Sequence, residues 1–198
     1  MSYPHVIISP VSTGAGIGRL DLFIALKNQL ADKALARRAL AVEAVMEELA
    51  RATGADAALW GLAGLGADID AKLAAQNPER RGTIAEELLL TEGVAAEAAA
   101  AARQWRSGPA SELPPIARGL VAAQRLVGIV ETELAEPGMS LAALEPIILE
   151  HRLRRGVRRG DAETTRAVEC LDALGIARPA AAELALSGLV RIRQDLGW

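Results

Sequence analysis

The chain has 198 residues, of which 51% are hydrophobic and 3% aromatic, so alanine and leucine supply most of its apolar content. Both are strong helix formers and the length suffices for one sizeable core, so the composition predicts a single all-α domain. A net charge of −3 gives no general attraction to nucleic acid or to an anionic membrane. The single cysteine, Cys170, excludes an internal disulfide framework and indicates a cytoplasmic protein with an inert core thiol.

Residues 1–18 differ from the rest of the chain, because prolines, glycines and a short Val6-Ile7-Ile8 run precede any helical periodicity. We predict that they form an N-terminal arm in front of a helical domain at residues 19–198. With Tyr3 near its start, the arm is the predicted contact for a protein partner or a second copy of the chain. The glycines at positions 14–18 lack the Lys-Ser/Thr ending of a phosphate-binding loop, so no nucleotide site is expected there.

From residue 21 onward, apolar residues recur at helical spacing and the breaks carry capping residues. Asp21 and Asp56 are placed to cap the first and third helices, and Gly54 to end the second. The proline-rich residues 107–115 are predicted to form a surface loop. The predicted helices cover residues 21–30, 32–52, 56–68, 83–90, 94–105, 116–135, 141–155, 161–174 and 180–196. No apolar run is long enough to cross a membrane without charges.

Three of these segments resemble the ligand-bearing helices of the HD superfamily of phosphohydrolases. Residues 59–70 (LWGLAGLGADID) match the helix with the adjacent His and Asp ligands for which the superfamily is named. Residues 37–46 (RRALAVEAVM) match the first ligand helix, and residues 115–129 (PIARGLVAAQRLVGI) match the last. The chain is similar to small bacterial single-domain HD hydrolases from about residue 18 to residue 198. The resemblance implies an HD-like helical bundle.

The chain departs from the family at nearly every expected metal ligand. Ala67 and Arg38 replace histidines, Arg81 precedes a glycine where many relatives have His-Gly, and Gln124 replaces an aspartate. Of the expected ligands, Asp68 alone is retained. A divalent metal needs several His and carboxylate ligands at once, and a permanently protonated guanidinium repels it. We therefore expect no metal, no cofactor and no metal-dependent phosphohydrolysis.

Three uses of the altered site are open on the sequence alone. The first is a structural salt bridge, in which arginines neutralise Asp68. The second is a pocket for a small anionic ligand, with Asp70 as a further orienting group. The third is metal-free catalysis with Asp68 or Asp70 as the general base. The ligand-binding candidates lie at or beside the family's ligand positions: Arg38, Asp68, Arg81, Gln104 and Gln124. Arg103 is a further candidate cation at one of these positions.

Two functions follow from these alternatives. The leading hypothesis is a pseudoenzyme that binds a protein partner or a small anionic ligand, and it predicts a collapsed pocket sealed by an Arg38–Asp68 ion pair. The second is a metal-independent enzyme that reuses the emptied cavity, for instance in a specialised biosynthetic pathway. That enzyme is expected to have an open cavity lined by Trp and Leu, with Asp68 or Arg38 exposed to it.

The remaining histidines and the densest basic segment are interpreted as surface features. His5 and His151 lie outside the matched ligand positions, and each is isolated. Residues 151–159 are rich in arginine but lack the interleaved aromatic residues on which bases stack. We interpret this segment as a solvated helix face and expect no nucleic-acid partner.

Overall fold

The computed structural model describes residues 17–198. The predictions for Tyr3, His5, the Val6-Ile7-Ile8 run and nearly all of the arm lie outside the described residues. Within them the chain is 75% helical and contains no strand, which confirms the predicted all-α class.

The helices, numbered in chain order, form a bundle. They are α1 (Arg19–Leu30), α2 (Lys33–Thr53), α3 (Ala57–Gly66), α4 (Ala71–Ala74), α5 (Thr83–Thr91), α6 (Ala96–Gln104), α7 (Pro115–Leu134), α8 (Pro146–Arg158), α9 (Ala162–Ala173), α10 (Arg178–Arg191) and α11 (Arg193–Leu196). Single turns of 3₁₀ helix occur at Pro78–Arg80, Ala110–Glu112 and Leu141–Ala143.

Asp56 and Gly54 act at helix ends as predicted, and Asp32 caps the start of α2. The carboxylate of Asp32 accepts hydrogen bonds from the first turn of α2, and Gly54 ends that helix at a φ of 72°. Asp56 caps α3 and accepts a hydrogen bond from the backbone N–H of Leu59 at 3.0 Å. These side chains satisfy backbone groups that helix ends leave unpaired, which fixes where each helix begins and stops.

Three predicted helix boundaries are wrong. The helix α1 begins at Arg19, so Asp21 lies in its first turn instead of at the N-cap, where its charge still complements the helix dipole. Residues 141–143 form a separate 3₁₀ turn and α8 begins at Pro146, since proline fits the first position of a helix. The last predicted helix is divided into α10 and α11 by a break at Ile192.

The helix α2 lies at the centre of the bundle and packs against α3, α7 and α10. Two neighbours approach its backbone so closely that they carry glycine at the contact. A Cβ atom on Gly64 of α3 would lie 3.0 Å from Cα of Glu43, and one on Gly188 of α10 would lie 2.7 Å from the carbonyl oxygen of Ala44. Interiors are close-packed, so a larger residue at either glycine would push helices apart.

Within residues 17–198, no single helix combines the length and the apolar composition that crossing a membrane requires. The helices α9 and α10 meet this test only as a pair, and the chain bends by 97° between them. Both helices bury apolar side chains in the core, Leu171 and Leu189 among them.

Candidate functional site

Asp68 lies in the turn that follows α3 and is held by donors from three other parts of the chain. Its Oδ1 accepts hydrogen bonds from Nη2 of Arg106 at 2.5 Å and from Nη2 of Arg81 at 3.2 Å. Its Oδ2 accepts a hydrogen bond from Nε2 of Gln124 at 2.8 Å. The Asp68 side chain is 16% exposed. Two guanidinium groups and one amide therefore balance a carboxylate that has little contact with water.

These contacts determine the protonation of Asp68. Burial by itself raises the pKa of the carboxyl, because the charged form loses solvation. The charge and hydrogen bond of Arg106, together with Gln124 and Arg81, outweigh burial, and the pKa of Asp68 lies below the usual value for aspartate. Asp68 is therefore ionised at neutral pH, and a carboxylate with a lowered pKa is a weak general base.

Replacing Asp68 with asparagine should destabilise the protein in a pH-dependent way. Because folding lowers its pKa, Asp68 contributes stability above the ordinary aspartate pKa of about 3.9, and this contribution is lost as the pH falls through the lower folded value. The difference in unfolding free energy between the wild type and Asp68→Asn, measured by urea denaturation, should be largest near neutral pH and should shrink as the pH falls below the ordinary aspartate value. Asp172→Asn, at an exposed position, is the matched control and should change little at either pH. A difference for Asp68→Asn that stays constant with pH would contradict the lowered pKa.

Arg38 does not pair with Asp68, so the predicted Arg38–Asp68 ion pair is wrong. Its guanidinium forms a short ion pair with Glu131 of α7 and donates to the backbone carbonyl and side-chain Oε1 of Gln124, at 3.2 and 3.0 Å. The physical reason is helical periodicity, which puts Glu131 two turns beyond Gln124 on the same face of α7 and within reach of Arg38. Gln124 joins the two ion pairs, since it accepts from Arg38 and donates to Asp68.

The other residues predicted at the site lie outside this network. Arg103 pairs with Glu86 of α5 at 2.6 Å, and Gln104, at the end of α6, makes no side-chain hydrogen bond within the described residues. Asp70 is fully buried, and its Oδ2 accepts a hydrogen bond from the backbone N–H of Gly82 at 2.6 Å. Asp70 therefore fixes the turn that precedes α5.

Arg106, the closest partner of Asp68, was not among the predicted site residues. Its side chain is 17% exposed, and its guanidinium carbon lies 4.3 Å from the centre of the Trp105 ring. It also donates to the backbone carbonyl of Ala67 at 3.3 Å. Nothing in its spacing separates Arg106 from Arg103. Because α6 ends at Gln104, the following turn directs Arg106 towards Asp68.

A cleft of about 550 Å³ lies beside the Asp68 network. We call it the arginine cleft, because four arginines from four different parts of the fold line it: Arg38, Arg106, Arg125 and Arg166. Trp105 and Val121 form part of its apolar wall, and Asp68 is not among its lining residues. Around Asp68 itself, Arg106, Arg81 and Gln124 occupy the site, as in a collapsed pocket, but the predicted Arg38–Asp68 pair does not seal it. The cavity is open, as expected for the enzyme alternative, but it holds Arg38 without Asp68 and is lined by Trp without Leu.

Arg166 differs from the other arginines of the cleft. The other three each have a carboxylate partner: Arg38 with Glu131, Arg106 with Asp68, and Arg125 with Asp161. Within residues 17–198, Arg166 forms no ion pair, and its Nη2 donates to the backbone carbonyl of Ser107 at 2.9 Å. The acidic residue that lines the cleft, Glu163, has an 86% exposed side chain. Arg166 therefore brings an uncompensated positive charge to the cleft.

The residues around Asp68 do not fit a divalent metal ion. Arginines and an amide nitrogen surround the carboxylate, and none of these groups donates an electron pair to a metal. In the part of the chain that the structure describes, no three His, Cys, Asp or Glu side chains are grouped to hold a metal. His151 lies on the exposed surface of α8.

No protein-family model, no curated protein and no solved structure matches this chain. The resemblance to the HD superfamily therefore rests on the sequence segments given above.

Proposed function

We propose that this chain is an HD-like protein without its metal site that acts by binding a small anionic ligand in the arginine cleft. The observation that carries the proposal is Arg166, a cleft-lining guanidinium with no carboxylate partner among residues 17–198. A guanidinium presents a fixed set of N–H donors that matches the oxygens of a phosphate or a carboxylate. The volume of about 550 Å³ is in the range of pockets that hold small molecules.

Unpaired donors around the cleft support the same ligand chemistry. The Nε atoms of Arg106 and Arg166 and the Nε1 atom of Trp105 are buried and have no hydrogen-bond acceptor among the described residues. All three residues line the cleft. An unpaired buried donor costs about 1–3 kcal/mol, so an anion that reached these groups after a small side-chain movement would recover part of that cost.

Binding accounts for the site better than metal-free catalysis does. Asp68 is saturated by Arg106, Arg81 and Gln124, and its lowered pKa makes it a weak base. Asp70 is buried in the turn before α5. In the proposed arrangement, Asp68 forms a structural salt bridge that holds Arg106 at the edge of the cleft, and the arginines of the cleft bind the ligand.

Phosphate is the more favourable ligand group, because its oxygens point in several directions and the donors of the cleft come from several directions. The lining arginines belong to α2, α7, α9 and the turn after α6. A tetrahedral phosphate can accept from more of them at once than a planar carboxylate can. Acetate is therefore expected to bind more weakly than inorganic phosphate.

Calorimetric titration with inorganic phosphate tests this proposal. The wild type should bind phosphate, and Arg166→Gln should weaken binding by about tenfold, because one charge-assisted contact is worth roughly 1.4 kcal/mol or more. Arg193→Gln is the matched control, because it removes the same charge from an exposed residue that does not line the cleft. The control should bind phosphate as the wild type does. If the wild type does not bind phosphate, or if both variants lose affinity equally, the proposal is wrong.

A further inference from the structure

A second cavity lies next to the arginine cleft along α7. This cavity, of about 230 Å³, is lined by α7, α8 and the start of α9, and we call it the arginine groove. Arg125 and Gly128 line both cavities. They are three residues apart on α7 and therefore lie on the same face of that helix. The cleft and the groove are therefore neighbours that share this part of α7 as a wall.

The groove has its own uncompensated positive charge. Arg155 and Arg159 line it, and neither forms an ion pair within residues 17–198. Arg152 of α8 also lines the groove and pairs with the buried Glu133 at 2.5 Å. The other carboxylate of the groove, that of Asp161, is held by Arg125 at 2.5 Å. Both acids are therefore already neutralised.

Among residues 17–198, arginines without an ion pair therefore line both cavities, Arg166 in the cleft and Arg155 and Arg159 in the groove. The residues of α7 that line the cleft lie between positions 121 and 128, and those that line the groove lie between positions 125 and 133. Their centres are about five residues apart, which corresponds to roughly 7 Å along the helix at about 1.5 Å per residue. A ligand with two phosphate groups can therefore place one group in each cavity.

We propose that the ligand is elongated and carries two phosphate groups, one bound in the cleft by Arg166 and the other in the groove by Arg155 and Arg159. This inference rests on the proposed function, because it assumes an anion in the cleft. Arg125, between the two positions, contacts the segment that joins the phosphates. Its pairing with Asp161 keeps its guanidinium in place on the shared wall.

Titration with inorganic phosphate and with tripolyphosphate at equal ionic strength tests the inference. The wild type should bind tripolyphosphate more tightly than phosphate by about tenfold or more, since a second set of charge-assisted contacts is worth over 1.4 kcal/mol. The double variant Arg155→Gln/Arg159→Gln should lose most of this preference. The double variant should still bind inorganic phosphate, because the cleft that holds Arg166 is intact.

A longer anion also gains from general positive charge, so the control must remove charge elsewhere. Arg158→Gln/Arg193→Gln removes two charges from exposed residues that line neither cavity, and it should keep the preference for tripolyphosphate. Circular dichroism establishes that both double variants are folded. If the wild type binds phosphate but Arg155→Gln/Arg159→Gln keeps the preference for tripolyphosphate, this inference is wrong and the proposed function stands. The same conclusion follows if both double variants lose the preference equally. If neither anion binds the wild type, both fail.

Discussion

Replacing Arg106 with alanine is expected to lower the free energy of unfolding by about 3 kcal/mol. Arg106 and Asp68 are 17% and 16% exposed, so removing the guanidinium leaves a nearly buried carboxylate without its closest partner. Gln124 and Arg81 remain, but Arg81 is 47% exposed and lies farther away at 3.2 Å. The variant also loses the contact between the guanidinium and Trp105. Chemical denaturation at neutral pH measures the effect.

Arg81→Ala is the matched control for Arg106→Ala, because it removes the other guanidinium that contacts Asp68. Its exposed position means that solvent screens the pair, and the expected loss is below about 1 kcal/mol. Adding Asp68→Asn to Arg106→Ala should recover part of the loss, because the unpaired buried charge is then removed. Equal losses for Arg81→Ala and Arg106→Ala would contradict the assignment of Arg106 as the principal partner.

The helical class and the main helices could be predicted because they depend on local features. Alanine and leucine at helical spacing, with Asp56 and Gly54 at helix ends, are visible in the sequence and act over a few residues. The wrong starts of α1 and α8 lie where two signals for the start of a helix compete. Asp21 resembles an N-cap, yet α1 starts two residues earlier, at Arg19. At α8, the apolar pattern extends to residue 141, but Pro146 determines the start.

The site was harder to predict, because its ion pairs join residues that are far apart in the chain. A salt bridge at Asp68 was one of the three uses that the sequence left open, and the arginines that contact its carboxylate are Arg81 and Arg106. The sequence could not show that Arg38 reaches Glu131 instead, since this choice depends on the register between α2 and α7. Arg106 was missed because its role depends on where α6 ends. Sequence identifies the chemical types at a site, whereas packing decides which of them meet.

The same principle explains the roles of two glycines that look alike in sequence. Gly128 and Gly188 both lie inside long helices, where glycine costs about 1 kcal/mol relative to alanine. A Cβ atom on Gly128 would have its nearest neighbour, Nη2 of Arg38, at 3.8 Å, which is ordinary contact. A Cβ atom on Gly188 would lie 2.7 Å from the carbonyl oxygen of Ala44 and 3.0 Å from its carbonyl carbon. The first glycine is replaceable, and the second lets α10 touch α2.

We therefore expect the same substitution to have opposite effects at the two positions. Gly188→Ala should lower the free energy of unfolding by about 2 kcal/mol, because α10 must move away from a rigid backbone and this cost exceeds the gain in helix propensity. Gly128→Ala should raise it by about 0.5–1 kcal/mol, because it gains propensity without a clash. Urea denaturation of both variants measures the difference. A stabilising Gly188→Ala would mean that α10 and α2 pack less closely than these distances indicate. The central position of α2, which orients Arg38 towards the cleft, would then need revision.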